Sequence, residues 1–135
     1  MNKTYHTNLD GIPGLAKDLA GRLRGGDVIA LVGPLGAGKT TFTKALVKAF
    51  GYKSKVTSPT FTLMQDYRLK KQGKPVTIHH LDLYRTNSFK EAFGIGLTEI
   101  WNRKDTITII EWADKIKKHL PKKTVTIYFH YDHHE

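Results

Sequence analysis

With 135 residues, 39% hydrophobic and 25% charged, the chain has the balance of a single folded domain and excludes a disordered polymer. The absence of cysteine excludes disulfides, thiolate metal sites and a cysteine nucleophile. Lys and Arg number 22 against 12 acids, a formal charge of +10, so anionic partners are favoured, whether nucleotide, nucleic acid or acidic protein.

Residues 3–7 read as a short opening strand. Asn8 or Asp10 is then placed to cap a helix whose apolar stripe is Ile12, Leu15, Ala16, Leu19, Ala20 and Leu23, stopped by Gly25-Gly26. Residues 27–32 follow as an apolar run too short for a helix, the pattern of a strand buried on both faces. The next helix, 40–50, carries Phe42, Ala45, Leu46, Ala49 and Phe50 at helical spacing, with Gly51 where a left-handed C-cap belongs. Two β-type segments, 60–68 and 76–84, flank a basic turn at 69–75 and read as an antiparallel hairpin. Short helical patches at 88–93 and 97–102 precede a β-branched strand, 106–110, ending in Glu111-Trp112. A helix over 113–119 and a strand over 124–131 complete a single-domain α/β fold with a mixed sheet, spanning residues 1–135.

Between the buried strand and its helix lies Gly33-Pro34-Leu35-Gly36-Ala37-Gly38-Lys39-Thr40, which fits G-x-x-x-x-G-K-[ST]. Small residues there let backbone N–H groups of Gly33, Leu35, Gly36, Ala37 and Gly38 close around phosphates, and the helix N-terminus adds its positive end. Lys39 is expected on the β- and γ-phosphates, Thr40 on Mg²⁺ and Thr41 near the α-phosphate. No Asn-Lys-x-Asp guanine reader is present, so ATP is the expected nucleotide.

Two segments offer an acid for the Mg²⁺ shell and a group to orient water. His80-Leu81-Asp82-Leu83-Tyr84-Arg85 supplies Asp82 as a metal ligand and Arg85 as a phosphate partner. Residues 107–112 deliver Glu111 at the C-terminal end of a strand, where ligands bind in open α/β sheets, followed by Trp112. Ser58-Pro59-Thr60-Phe61 places Ser58 and Thr60 where a nucleotide-sensing loop would lie. Either acid could instead cap a helix or pair with a neighbouring base, and Trp112 could serve the core. Adjacent His79 and His80 face opposite sides of a strand and cannot jointly hold one ion. No apolar run approaches the roughly 18 residues of a membrane span, and the N-terminus lacks a signal-peptide core, so a cytoplasmic protein without a membrane partner is expected.

The phosphate loop, Ser58-Pro59-Thr60-Phe61, His80-Leu81-Asp82-Leu83-Tyr84-Arg85 and Ile110-Glu111-Trp112, in this order, resemble the TsaE family of bacterial ATPases over nearly the whole chain. The resemblance implies a slow ATPase acting with TsaD and TsaB, and through them with tRNA, in placing threonylcarbamoyl on N6 of adenosine 37 in tRNAs reading codons that start with A. It implies that Lys39 and Thr40 hold phosphate and Mg²⁺, that Asp82 belongs to the metal shell and that Glu111 lies at the catalytic centre. The sequence departs from the family at Pro34, where Asp is usual, losing a carboxylate and a backbone donor. A small nucleotide or nucleoside kinase shares the loop but needs an acceptor pocket and an arginine-bearing lid, for which little chain is left. A non-enzymatic RNA-binding module would use the basic stretches 68–74 and 115–123, which no aromatic platform accompanies.

Overall fold

The computed structural model describes residues 9–34, 38–53, 64–83, 97–101 and 103–130. A 3₁₀ turn over Leu9–Gly11 leads into α1 (Ile12–Arg22), whose N-cap is Gly11 and has no side-chain cap. Gly11 rather than Asp10 stands at the N-cap position of α1: Asp10 lies one residue earlier, inside the 3₁₀ turn, and Pro13 in the first helical turn needs no N–H partner. Asn8 and the expected strand at 3–7 lie outside the described residues.

β1 (Val28–Val32) is buried over its first four residues and feeds the phosphate loop, behind which α2 (Lys39–Ala49) begins. α2 ends as its sequence predicts: Gly51 takes φ 105°, its N–H donates to Lys48 O, and the Tyr52 N–H donates to Val47 O. This paired closure satisfies two carbonyls that a helix end would otherwise leave open.

β2 (Met64–Lys71) and β3 (Lys74–Asp82) form the expected antiparallel hairpin, but its turn is only Gln72-Gly73. Both turn residues have positive φ, 53° and 79°, the geometry of a type I′ turn whose twist matches the flanking strands. The three lysines assigned to the turn, Lys70, Lys71 and Lys74, thus all lie in strands, and Lys71 Nζ reaches back to Ala20 O and Leu23 O at the C-terminus of α1. A cation there complements the helix dipole.

The short α3 (Leu97–Ile100) precedes β4 (Thr106–Glu111), every residue of which is buried. The segment Ala113–His119 is a 3₁₀ helix broken at Ile116, rather than the regular helix its spacing predicts. The chain closes with β5 (Val125–Tyr128). The expected helix at 88–93 lies outside the described residues.

These strands form a mixed sheet in the order β2-β3-β4-β1-β5. β1 runs parallel to β4 and β5, and β3 runs parallel to β4, so their C-terminal ends share one edge. On one face Ile29, Leu31, Ile78, Ile107 and Ile109 pack with Ala16, Leu46 and Val47 of the two long helices. On the other, Val28, Ala30, Leu81 and Ile110 pack with Ala113 and Ile116. Among the described residues no helix is long and apolar enough to cross a membrane.

Candidate functional site

The parallel strands set the site, because β1 ends at the phosphate loop and β4 ends beside it at Glu111. A Cβ on Gly33 would fall 2.6 Å from Phe129 O, so only glycine lets the chain after β5 lie against the loop. Gly38 has φ 102° and caps α2 without a side chain, which leaves the first helical amides free to face an anion. Leu35, Gly36 and Ala37 lie outside the described residues, as do Ser58, Thr60 and Arg85.

Lys39 opens α2 and is buried, yet its ammonium is held by the loop itself. Nζ donates to Gly33 O and, at 2.9 Å, to Pro34 O. It also stands 3.9 Å from the centroid of the Trp112 ring, a cation–π contact. Burial pushes the Lys39 ammonium below its ordinary pKa of 10.5, opposed by the nearby charges of Glu111, Asp114 and Asp82.

Trp112 reaches that position through a left-handed backbone, φ 60° and ψ 37°, in which its N–H donates to Leu31 O. A bulky residue in this region costs on the order of 1–3 kcal/mol, and such strain concentrates at functional sites. The sequence indicates Trp112 by position, whereas its stacking on Lys39 depends on this turn.

Glu111 stands at the centre. Its Oε1 accepts the Thr40 hydroxyl at 3.0 Å, and its Oε2 lies 2.5 Å from His80 Nε2. The side chains of His80 and Glu111 are 1% and 3% exposed, so neither is solvated by bulk water. Asp82 is half-buried on the same face of β3 as His80, in register with Glu111 across the β3–β4 pair. Thr41, the third residue of α2, is exposed and borders a groove between α1 and α2 that Lys17, Lys44 and Lys48 also line.

Lys39, Thr40, Glu111 and Trp112 are thus brought together around the end of β1, with Asp82 one strand further out. His80, to which sequence reasoning gave no role, joins this cluster through Glu111. Its spacing of two from Asp82 was a usable signal, since both must share a face of the strand. His79 points to the opposite face and pairs with Asp66.

Among the described residues no three acidic or histidine side chains gather into a metal cage. The Thr40 hydroxyl in contact with a carboxylate still suits Mg²⁺, which prefers hard oxygen donors and retains waters and substrate phosphates in its shell.

The family described as threonylcarbamoyl adenosine biosynthesis protein TsaE matches residues 7–135. The chain is 40% identical over 105 residues to the tRNA threonylcarbamoyladenosine biosynthesis protein TsaE of Treponema pallidum, covering 78% of this chain and 73% of that protein. It is 41% identical over 104 residues to the protein of that name in Rickettsia conorii, covering 76% of this chain and 56% of the longer relative. The crystal structure of Bacillus subtilis YdiB superposes with a TM-score of 0.62 at 29% identity, covering 94% of this chain and 76% of that one. With a phosphate loop, a threonine–glutamate contact and these matches along its length, the chain belongs to the TsaE family of threonylcarbamoyl adenosine biosynthesis proteins.

Proposed function

We propose that this protein is a Mg²⁺-dependent ATPase that sustains repeated formation of N6-threonylcarbamoyladenosine at position 37 of tRNAs reading codons that start with A. It works in the cytoplasm with TsaD and TsaB and meets tRNA through that complex. The observation that carries the reading is the convergence of Lys39, Thr40 and Glu111 at the C-terminal ends of β1 and β4. A phosphate cradle alone would suit any nucleotide binder, whereas an aligned carboxylate gives it a means of hydrolysis.

In this reading Lys39 releases Gly33 O and Pro34 O and places its charge on the β- and γ-phosphates, while the amides at the start of α2 hold the triphosphate in line. Thr40, Asp82 and Glu111 would hold Mg²⁺, which supplies neutralisation of the developing phosphate charge. Glu111 orients the attacking water and accepts its proton. Trp112, anchored by its backbone bond to Leu31, closes one side of the lysine and limits water access. Gly33, Leu35, Gly36, Ala37, Gly38 and Thr41 line the phosphates, and Ser58 and Thr60 respond to the γ-phosphate.

The test is tRNA threonylcarbamoylation followed over many turnovers by the other pathway proteins, with this protein added, omitted, or replaced by Lys39→Ala. Sustained product formation with the wild type alone is the expected result. Equal turnover in all three would leave a nucleotide binder with another role. Phosphate transfer from ATP to nucleosides or nucleotides would instead reveal a kinase.

A further inference from the structure

Glu111 carries a catalytic assignment, yet it is a carboxylate removed from bulk water, and such a group must have its oxygens satisfied by donors. Thr40 serves Oε1, and His80 Nε2, 2.5 Å away, faces Oε2. A hydrogen bond between the two needs one proton, which an imidazole protonated on Nε2 supplies. The other ring nitrogen settles the tautomer: Nδ1 is buried and meets no hydrogen-bond partner among the described residues. A proton on Nδ1 would be an orphaned buried donor, whereas an unprotonated Nδ1 leaves only a lone pair unmatched, the milder defect.

We propose that His80 is the positioning residue of the site: with its proton on Nε2, it holds Oε2 of Glu111 and turns Oε1 toward Thr40 and the phosphate loop. The assignment rests on the ATPase reading for its kinetic consequence, but the hydrogen bond exists without nucleotide. β3 makes the arrangement rigid. His80 pairs with Ile109 and Asp82 with Glu111 in a parallel ladder that fixes the two backbones relative to each other, and the imidazole itself is 1% exposed. The strand before it is anchored by Ile78 in the core. His80 acts through Glu111 and touches no reacting atom, which separates its role from that of Lys39.

Two measurements test this. Proton–nitrogen NMR of the nucleotide-free protein should show a downfield, exchange-protected imidazole N–H assigned to His80 Nε2. The signal should vanish in His80→Leu and His80→Gln and move upfield in Glu111→Gln. Steady-state phosphate release should show kcat reduced about ten- to a hundred-fold in His80→Leu with KM for ATP nearly unchanged, the scale seen when a supporting partner of a site ligand is lost. His80→Gln, whose amide N–H can reach toward the same oxygen, should recover most of kcat. A proton on Nδ1 would overturn the proposal. So would wild-type kcat in His80→Leu, or equal losses in both variants that follow their melting temperatures. If the wild type releases no phosphate from ATP while the Nε2 signal is present, the ATPase reading fails and the hydrogen bond stands.

Discussion

Two neighbouring histidines on β3 lead into opposite faces of the sheet and into different physics. His80 and Glu111 meet at 2.5 Å with side chains 1% and 3% exposed, whereas His79 and Asp66 meet at 2.7 Å with side chains 11% and 39% exposed. Near the second pair lies another exposed one, Arg103–Asp105, whose aspartate also senses His79. The bond lengths are similar; the surroundings differ. Water competes for the outer groups and weakens their attraction, while on the inner face both oxygens of Glu111 depend on particular partners. Histidine–carboxylate contacts of nearly equal length therefore have unequal consequences.

The largest expected effect comes from the inner cluster's cation. Lys39→Met should weaken ATP binding about a hundred-fold, since hydrogen bonds from a charged donor contribute about 1.5–3 kcal/mol. The same change should leave stability unchanged or slightly raised, because burial already disfavours the Lys39 ammonium. Calorimetric titration with ATP and urea unfolding check the two halves; a large loss of stability would mean that the loop carbonyls and Trp112 more than compensate the desolvation.

Next in size is the contrast between the carboxylates themselves. Glu111→Ala leaves the donor of His80 buried without an acceptor and should cost about 2 kcal/mol. Asp66→Ala, on the half-exposed pair, should cost less than about 1 kcal/mol and lose even that at high salt. Urea midpoints for both variants at low and high ionic strength decide it, and equal costs would erase the distinction between the faces.

The smallest effect should be that of Arg103→Ala. The hydrogen bond from Arg103, foremost, holds the Asp105 carboxyl below its ordinary 3.8. A depressed carboxyl pKa stabilises the fold above the unfolded value and loses that contribution as pH falls through the folded one. The wild type and Arg103→Ala should therefore differ slightly at neutral pH and converge in acid, as thermal melts across that range would show.

Local patterns made much of this legible. The unbroken apolar run at 28–32, the glycine loop and the helical spacing after it led to β1, the phosphate loop and α2, because each depends on contacts close in sequence. Gly51 marked the helix end for the same reason. The hairpin was visible but its turn was misplaced: Lys70, Lys71 and Lys74 resemble a solvated loop, yet the strand pairing and the two positive-φ residues confine the turn to Gln72-Gly73. Ala113–His119 has helical spacing, but it leaves β4 through the left-handed Trp112 and continues as a 3₁₀ helix broken at Ile116.

The sequence by itself determined the chemistry available at each position: a phosphate loop, a carboxylate at a strand end, and alternating residues that sort onto two sheet faces. Which groups meet was decided by the tertiary structure. Placing β4 between β3 and β1 brings Glu111 to both His80 and Thr40, residues 31 and 71 positions away. No local periodicity encodes that order, because it arises from burying both faces of a sheet whose neighbours are distant in the chain.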